Sequence, residues 1–497
     1  MMRNKWIQKI VLLAMVGLLL AGCTNGAGKK VEQTKTTLKV LFYDENWFYQ
    51  QYGDLFSMKN GENVEFEIIS TQNLYNNEEG KSYQEAYDEL IDKEKPDVLM
   101  LDTNNFEKYV SDGKLVELDT YIEKDKYNLE GIYPGLLELL KEIGGSKLYG
   151  LSPTFYGSAV FYNKDLFNKY GVDLPHDGMS WQDILDLARR FPTDGDEKTR
   201  VYGYGDSYPI SMDNMISMIS SAEGLMNVNP DSMKVTVDTD SWKRVFQLAI
   251  DAEKSGVVYN PEGDRFMGGS MEEYYQSQPF LMGRSAMTLG SPYMLQNMKD
   301  AKERLKDYKL FEIGIVSGPV DPSDPTSTYN ANLSEVFAIN AASTNKDVAW
   351  DFIKFVNGED YARVKSRSGN DMMSRMGFKK DFEGQSLDPF YALKPKLNKS
   401  YRNWDKLPDN FYGDYSAVMT RELDLVKNNK KTLDEALKTI QSEAQTALDK
   451  GLKDKEANKG KEGAGTGYCE CWWKRCCYRG GQFRRVTQVA SNDNYIF

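Results

Sequence analysis

The chain has 497 residues, 27% charged and 40% hydrophobic, which is length for two or three domains, each with its own core. Its formal net charge of −12 argues against nucleic acid or an anionic membrane surface as the main partner, and no basic stripe with interleaved aromatics interrupts the body. A single histidine, His176, excludes most metal centres built on His or Cys ligands and leaves a Ser-His-Asp arrangement only one possible base.

Arg3, Lys5 and Lys9 precede an apolar run from Ile10 to Ala21, the charge-then-apolar order of a signal peptide over residues 1–22. The run is short for a permanent helix across ~30 Å of hydrocarbon. It closes on Leu20-Ala21-Gly22-Cys23, which resembles the lipobox of bacterial lipoproteins. That resemblance implies a lipid on the Cys23 thiol, a new N-terminus there, and a flexible polar tether over 23–36. No cysteine follows until Cys469, so an exported body without disulfides must be held by packing.

After the tether, short apolar runs alternate with helical patterns. Strands are predicted at Leu38–Tyr43, Val64–Ile69 and Asp97–Leu101, with a helix at Tyr83–Lys93 between the last two. Strands at Tyr149–Ser152 and Ala159–Tyr162 follow. Ser180-Trp181-Gln182-Asp183 opens a helix to Arg190 as a capping box. Helices are expected at Asp240–Lys254 and Asn345–Val356, and strands at Ala286–Leu289, Phe311–Val316 and Val336–Ile339. Thr432–Lys450 is amphipathic, with Leu433, Ala436, Leu437, Ile440, Ala444 and Leu448 on one face. Trp181, Trp242 and Trp350 fall inside helical patterns and read as core, whereas His176, between Pro175 and Asp177, reads as solvent-facing. Beyond Leu452 the composition turns to Lys, Glu, Gly and Ala, then to a crowded run carrying Cys469, Cys471, Cys476 and Cys477. That spacing does not suit a closed tetrahedral zinc site, and 456–497 reads as an ill-ordered appendage.

Several segments, in order, resemble the extracellular solute-binding proteins of ATP-driven importers, the group that includes the maltose-binding proteins. They are Pro96-Asp97-Val98-Leu99-Met100 with Asn104-Asn105-Phe106 and Gly113-Lys114-Leu115, and Tyr149-Gly150-Leu151-Ser152-Pro153 with Phe161-Tyr162-Asn163-Lys164-Asp165. Gly283-Arg284-Ser285-Ala286-Met287-Thr288 with Pro292-Tyr293, Ile339 to Lys346, and Thr432 to Leu437 complete the set. The resemblance spans roughly residues 38–455 and implies an α/β protein of the type II periplasmic-binding-protein fold, with two discontinuous lobes around a ligand cleft. The expected division is 37–153 plus about 287–340 for lobe 1, and 154–286 plus about 341–455 for lobe 2. A lipid-anchored, extracytoplasmic monomer is implied, without cofactor, metal or nucleic acid, passing a sugar or oligosaccharide to permease subunits.

Candidate ligand-binding residues follow from strand ends and from the resemblance together. Asp44-Glu45-Asn46-Trp47 combines carboxylates with an indole, suited to the hydroxyls and the C–H face of a pyranose; the alternative is a helix start with Asp44 as cap and Trp47 as core. Asn104 and Asn105 stand where the family carries ligand-contacting polar residues, and Asp102 sits just past the strand end; the alternative for Asp102 to Asn105 is helix capping, and Leu101 replaces the aromatic of the maltose-type pattern. Tyr156 and Tyr293 match cleft positions. Trp404, or else Tyr412 or Tyr415, matches a further stacking position. The competing readings are an exported glycoside hydrolase using paired carboxylates and a sensory lipoprotein of the same two-lobed shape.

Overall fold

The computed structural model describes residues 35–74, 81–196, 199–261, 269–368, 371–378, 381–398, 406–408 and 410–458. Cys23 with its tether, Trp404 and the cysteine-rich end lie outside the described residues. The main strands in chain order are β1 (Thr36–Phe42), β2 (Val64–Ser70), β3 (Val98–Leu101), β4 (Gly150–Leu151), β5 (Thr154–Gly157), β6 (Ala159–Asn163), β7 (Tyr202–Tyr204), β8 (Ser285–Gly290), β9 (Ile313–Val316), β10 (Ala331–Leu333), β11 (Val336–Ile339) and β12 (Met372–Met373). The helices used below are α1 (Glu45–Phe48), α2 (Tyr83–Glu94), α3 (Thr103–Ser111), α4 (Trp181–Ala188), α5 (Met212–Ala222), α6 (Asp240–Ser255), α7 (Tyr293–Arg304), α8 (Lys346–Val356), α9 (Glu359–Ser368), α10 (Phe411–Lys427) and α11 (Leu433–Asn458).

The first sheet has the order β2-β1-β3-β11-β4. β1 runs parallel to β2, Val40 opposite Ile68, and to β3, Val40 opposite Val98, whereas β11 is antiparallel to β3 with Val336 opposite Leu101. Parallel strands are covered on both faces, and β1 and β3 accordingly bury Leu38, Val40, Leu41, Val98, Leu99 and Leu101. Asp97 pins the return segment to this sheet. Buried beside β3, its carboxylate accepts from Lys39 N at 3.0 Å, Ser343 Oγ at 2.6 Å and Asn345 Nδ2 at 3.3 Å. Those bonds account physically for the Asn340-to-Asn345 pattern in the sequence, since a buried carboxylate has to be matched by donors.

The second sheet has the order β9-β6-β8-β7, with β6 antiparallel to β8 and β9. Alternation along β6 serves two cores: Ala159 and Phe161 join the cluster that runs on from the first sheet, while Val160 and Tyr162 join a second cluster with α4, α5, α6, α10 and α11. Gly314 is required where β9 passes the Tyr162 ring, because a Cβ there would sit 2.1 Å from Tyr162 Cζ. Ser180 caps α4 in the expected capping box with Asp183, and the apolar face expected for α11 is buried throughout. Trp181, Trp242 and Trp350 are buried with their indole N–H bonded to Met218 O, Met226 O and Asp125 Oδ2 at 3.1, 3.2 and 2.9 Å.

The packing divides the chain elsewhere than the expected lobe boundaries. β8 and β9, with residues 287–316 expected in lobe 1, belong to the second sheet. Conversely α8 and α9, expected in lobe 2, bury Trp350, Phe352, Ile353 and Tyr361 against the first core. The reason is local amphipathicity: each helix packs on the sheet its apolar stripe reaches, and a strand-by-strand reading cannot tell which sheet that is.

Two strands cross between the sheets. β5 leaves β4 through Ser152 and Pro153 and enters β6, and β10 runs antiparallel beside it, Tyr156 opposite Asn332, before entering β11. β12 pairs with β5 on its other side. The crossings therefore join the carboxyl edge of β1, β2, β3 and β4 to the edge formed by the ends of β7, β8 and β9. Loops at both edges border the same space.

Candidate functional site at the facing sheet edges

On the first edge, β1 ends at Phe42 and the chain turns at Asp44, whose Oδ1 accepts Trp47 N at 2.9 Å and so caps α1. The cap orients the indole. Trp47 is half-buried, edge-on to Phe42 at 5.6 Å and to Tyr43 at 5.8 Å, and Tyr43 is itself exposed. The helix-start reading of this turn holds for Asp44 as cap, and Trp47 packs against the core while staying half-buried.

Asp102 follows β3 as the cap of α3. Its Oδ1 accepts Asn105 N and its Oδ2 accepts Asn105 Nδ2, each at 2.8 Å, and Gln84 Nε2 donates to Asn105 Oδ1 at 2.8 Å. Asn105 is 5% exposed. It is thereby withdrawn from the set of expected ligand contacts, because its amide is occupied inside the lobe by α2 and the α3 cap. Asp102 and Asn104 are exposed at the edge.

Tyr156, on the crossing strand β5, is 66% exposed. Partial burial raises its hydroxyl pKa, as do the carboxylates of Glu335 and Asp371. Glu335 stands between β10 and β11, half-buried, and accepts from Tyr52 Oη at 2.8 Å. Burial pushes its carboxyl pKa up against the lowering effect of that bond, and Asp371 pushes it further. Tyr52 stacks on Tyr361 at 5.6 Å, backing the carboxylate with two rings.

On the second edge, Tyr293 opens α7 directly after the Gly290-Ser291-Pro292 turn that ends β8, and is 45% exposed. Asp206 and Tyr208 follow β7 on the same edge. Tyr208 is 57% exposed, and burial raises the Asp206 carboxyl pKa although Ser207 N donates to it at 2.6 Å. Burial raises the Tyr274 hydroxyl pKa, against a lowering hydrogen bond with Gln278 and with smaller upward contributions from Tyr208, Tyr293 and Asp206. Tyr415 is buried in the second core on α10, and Tyr412 is half-buried against it.

Reading the sequence missed Glu335, Asp206 and Tyr208. The turn Gly205-Asp206-Ser207-Tyr208-Pro209 after a short Tyr-Gly-Tyr strand was a usable signal for the last two. Glu335 had none, since it precedes its strand and only the antiparallel direction of β11 brings it to this edge. Among the described residues no three His, Cys, Asp or Glu side chains gather as a metal site, and no helix is long and apolar enough to cross a membrane.

The sequence profile of the bacterial extracellular solute-binding proteins matches residues 32–363. The chain belongs to that family. Its members are binding proteins, and the fold is the two-lobed type II α/β arrangement expected. Among solute-binding proteins, the sn-glycerol-3-phosphate-binding periplasmic protein UgpB of Escherichia coli (strain K12) is 24% identical over 306 residues, covering 58% of this chain and 65% of UgpB. A sugar transporter structure from Rhizobium etli, in an open conformation, superposes with TM-score 0.56 and 22% identity over 82% of this chain and 99% of that one. The sugar-binding protein MalE of Xanthomonas citri gives TM-score 0.58 and 14% identity over 86% of this chain and all (100%) of MalE. At these identities the structures speak for the solute-binding fold, and the ligand has to be argued from the edges themselves.

Proposed function

We propose that this solute-binding protein captures a sugar or oligosaccharide between its facing sheet edges and delivers it to the permease subunits of an ATP-driven importer. The observation that carries this reading is the exposure of Tyr156 on the crossing strand β5 and of Tyr293 on the second edge, 66% and 45%. Exposed rings at strand ends offer flat apolar faces to the C–H face of a pyranose, and neighbouring carboxylates accept its hydroxyls. Trp47, Asp44, Asp102, Asn104, Tyr208, Asp206 and Glu335 complete the contact set. The Rhizobium and Xanthomonas neighbours, described as a sugar transporter and a sugar-binding protein, support the same class.

Capture works by closure of the lobes about the β5 and β10 crossings. A saccharide touching both edges binds the closed form more tightly than the open one, and that differential affinity drives the change. The closed form then docks on the permease. Lipid on Cys23 holds the protein, as a monomer, at the extracytoplasmic face of the cell membrane, with residues 23–36 as tether. No reaction is assigned to the carboxylates, which act as acceptors.

A thermal-shift screen against mono- and oligosaccharides, amino acids and peptides tests the reading. One saccharide class raising the melting temperature, increasingly with concentration, supports it. A shift confined to amino acids or peptides defeats it.

A further inference from the structure

The loops that border the space between the sheets have a one-sided charge. They comprise residues 43–47, 71–74, 102–105, 152–158, 205–209, 290–293, 317–320 and 334–335, with 371 at the start of β12. In these stretches stand Asp44, Glu45, Asp102, Asp206, Glu335 and Asp371, and no Lys or Arg at all. Lys365 of α9, half-buried and within electrostatic reach of Asp371, has its Nζ bonded to Gln51 Oε1 at 2.6 Å and to Gln50 O at 3.4 Å. Chance does not make such edges cation-free easily in a chain with 62 Lys and Arg residues.

We propose that the site selects against negative charge: the bound saccharide is neutral or carries an amino group, and uronic acids and sugar phosphates are refused. The proposal rests on the saccharide-capture reading above and sharpens it. A carboxylate or phosphate entering between the edges meets like charge from both sides and, among the described residues of these loops, no guanidinium or ammonium to replace its lost hydration, so repulsion and desolvation act together. A hydroxyl meets acceptors ready for it, and an ammonium meets opposite charge. The Tyr52 bond keeps Glu335 at the first edge, while Asp206 supplies the charge beside Tyr208 and Tyr293 on the second. In this respect the site departs from what its relative UgpB, named for sn-glycerol-3-phosphate, must accommodate.

The test is a calorimetric titration of the full chain with length-matched neutral, amino and uronic-acid di- and trisaccharides, and with sn-glycerol-3-phosphate, at about 0.01 M and 0.15 M salt. Screening lengths of about 30 Å and 8 Å separate a charge effect from a fit effect. The expected result is that the uronic form binds at least about tenfold more weakly than its neutral counterpart at low salt. That gap narrows at high salt and narrows again in Glu335→Gln and Asp206→Asn, and the amino form binds no more weakly than the neutral one. Equal or tighter binding of a uronic saccharide at low salt overturns the proposal and leaves saccharide capture standing, as does a gap that neither salt nor either variant moves. Binding of sn-glycerol-3-phosphate with no saccharide bound in any form overturns both.

Discussion

The Tyr52 hydroxyl donates to Glu335 Oε2 at 2.8 Å across 283 residues of sequence, and the bond ties the helical segment after β1 to the point where a crossing strand re-enters the first sheet. Burial nevertheless dominates and raises the Glu335 carboxyl pKa. A carboxyl raised in the fold gives stability that is complete below its unfolded pKa and is lost as pH rises through the folded one. Glutamine at this position has no charge to bury. Glu335→Gln should therefore gain melting temperature relative to the parent as pH goes from about 4 to 8 across the ordinary carboxylate range and above. Thermal melts of both proteins over that interval check it, and a difference that is flat or of opposite slope contradicts it.

The Asp102–Asn105 pair predicts a separation of stability from binding. Asn105→Ala removes the amide from Asp102 and takes from Gln84 one of its two acceptors, leaving Asp88 Oδ1 at 3.1 Å, so unfolding free energy should fall by about 1–3 kcal/mol. Ligand affinity should hardly change. Asn104→Ala, at an exposed position, should keep stability within about 0.5 kcal/mol while weakening ligand. Denaturant melts and titrations on the two variants decide the matter; the reverse pattern would return Asn105 to the site.

Tyr156→Ala and Tyr293→Ala should each weaken saccharide binding by about 1–3 kcal/mol, the range for an aromatic anchor desolvated by its partner. Both rings are exposed in the free protein, so melting temperatures without ligand should stay near the parent's. A variant that loses stability and keeps affinity would mark its ring as structural.

Cys23→Ala should move the protein from the membrane fraction to the soluble extracytoplasmic fraction, because a single substitution removes the proposed site of the lipid. Saccharide affinity should be unaltered. Retention of the variant in the membrane fraction would mean that something other than lipid on Cys23 anchors it.

Much of the frame was legible because apolar runs such as Leu38–Phe42 and Val98–Leu101 and the stripe of α11 are decided by burial, which leaves a period in the sequence. The site was less so, for a physical reason. Asn104 and Asn105 are chemically identical, and only the rotation of α3 sends one outward and the other to Gln84. Glu335, Asp206 and Asp371 come to the same space through the direction of strands and the crossings between sheets, which local pattern does not encode. Placing α8 and α9 on the first core rather than the second is the same lesson at the scale of a helix.

The most direct test of saccharide capture between the edges is calorimetric titration of the parent, Tyr156→Ala and Tyr293→Ala with the saccharide class that raises the parent's melting temperature. One-to-one binding to the parent is expected, weakened about fivefold or more in both variants, one on the crossing strand and one on the second edge. Saccharide binding that neither substitution alters, or none to the parent, would contradict it.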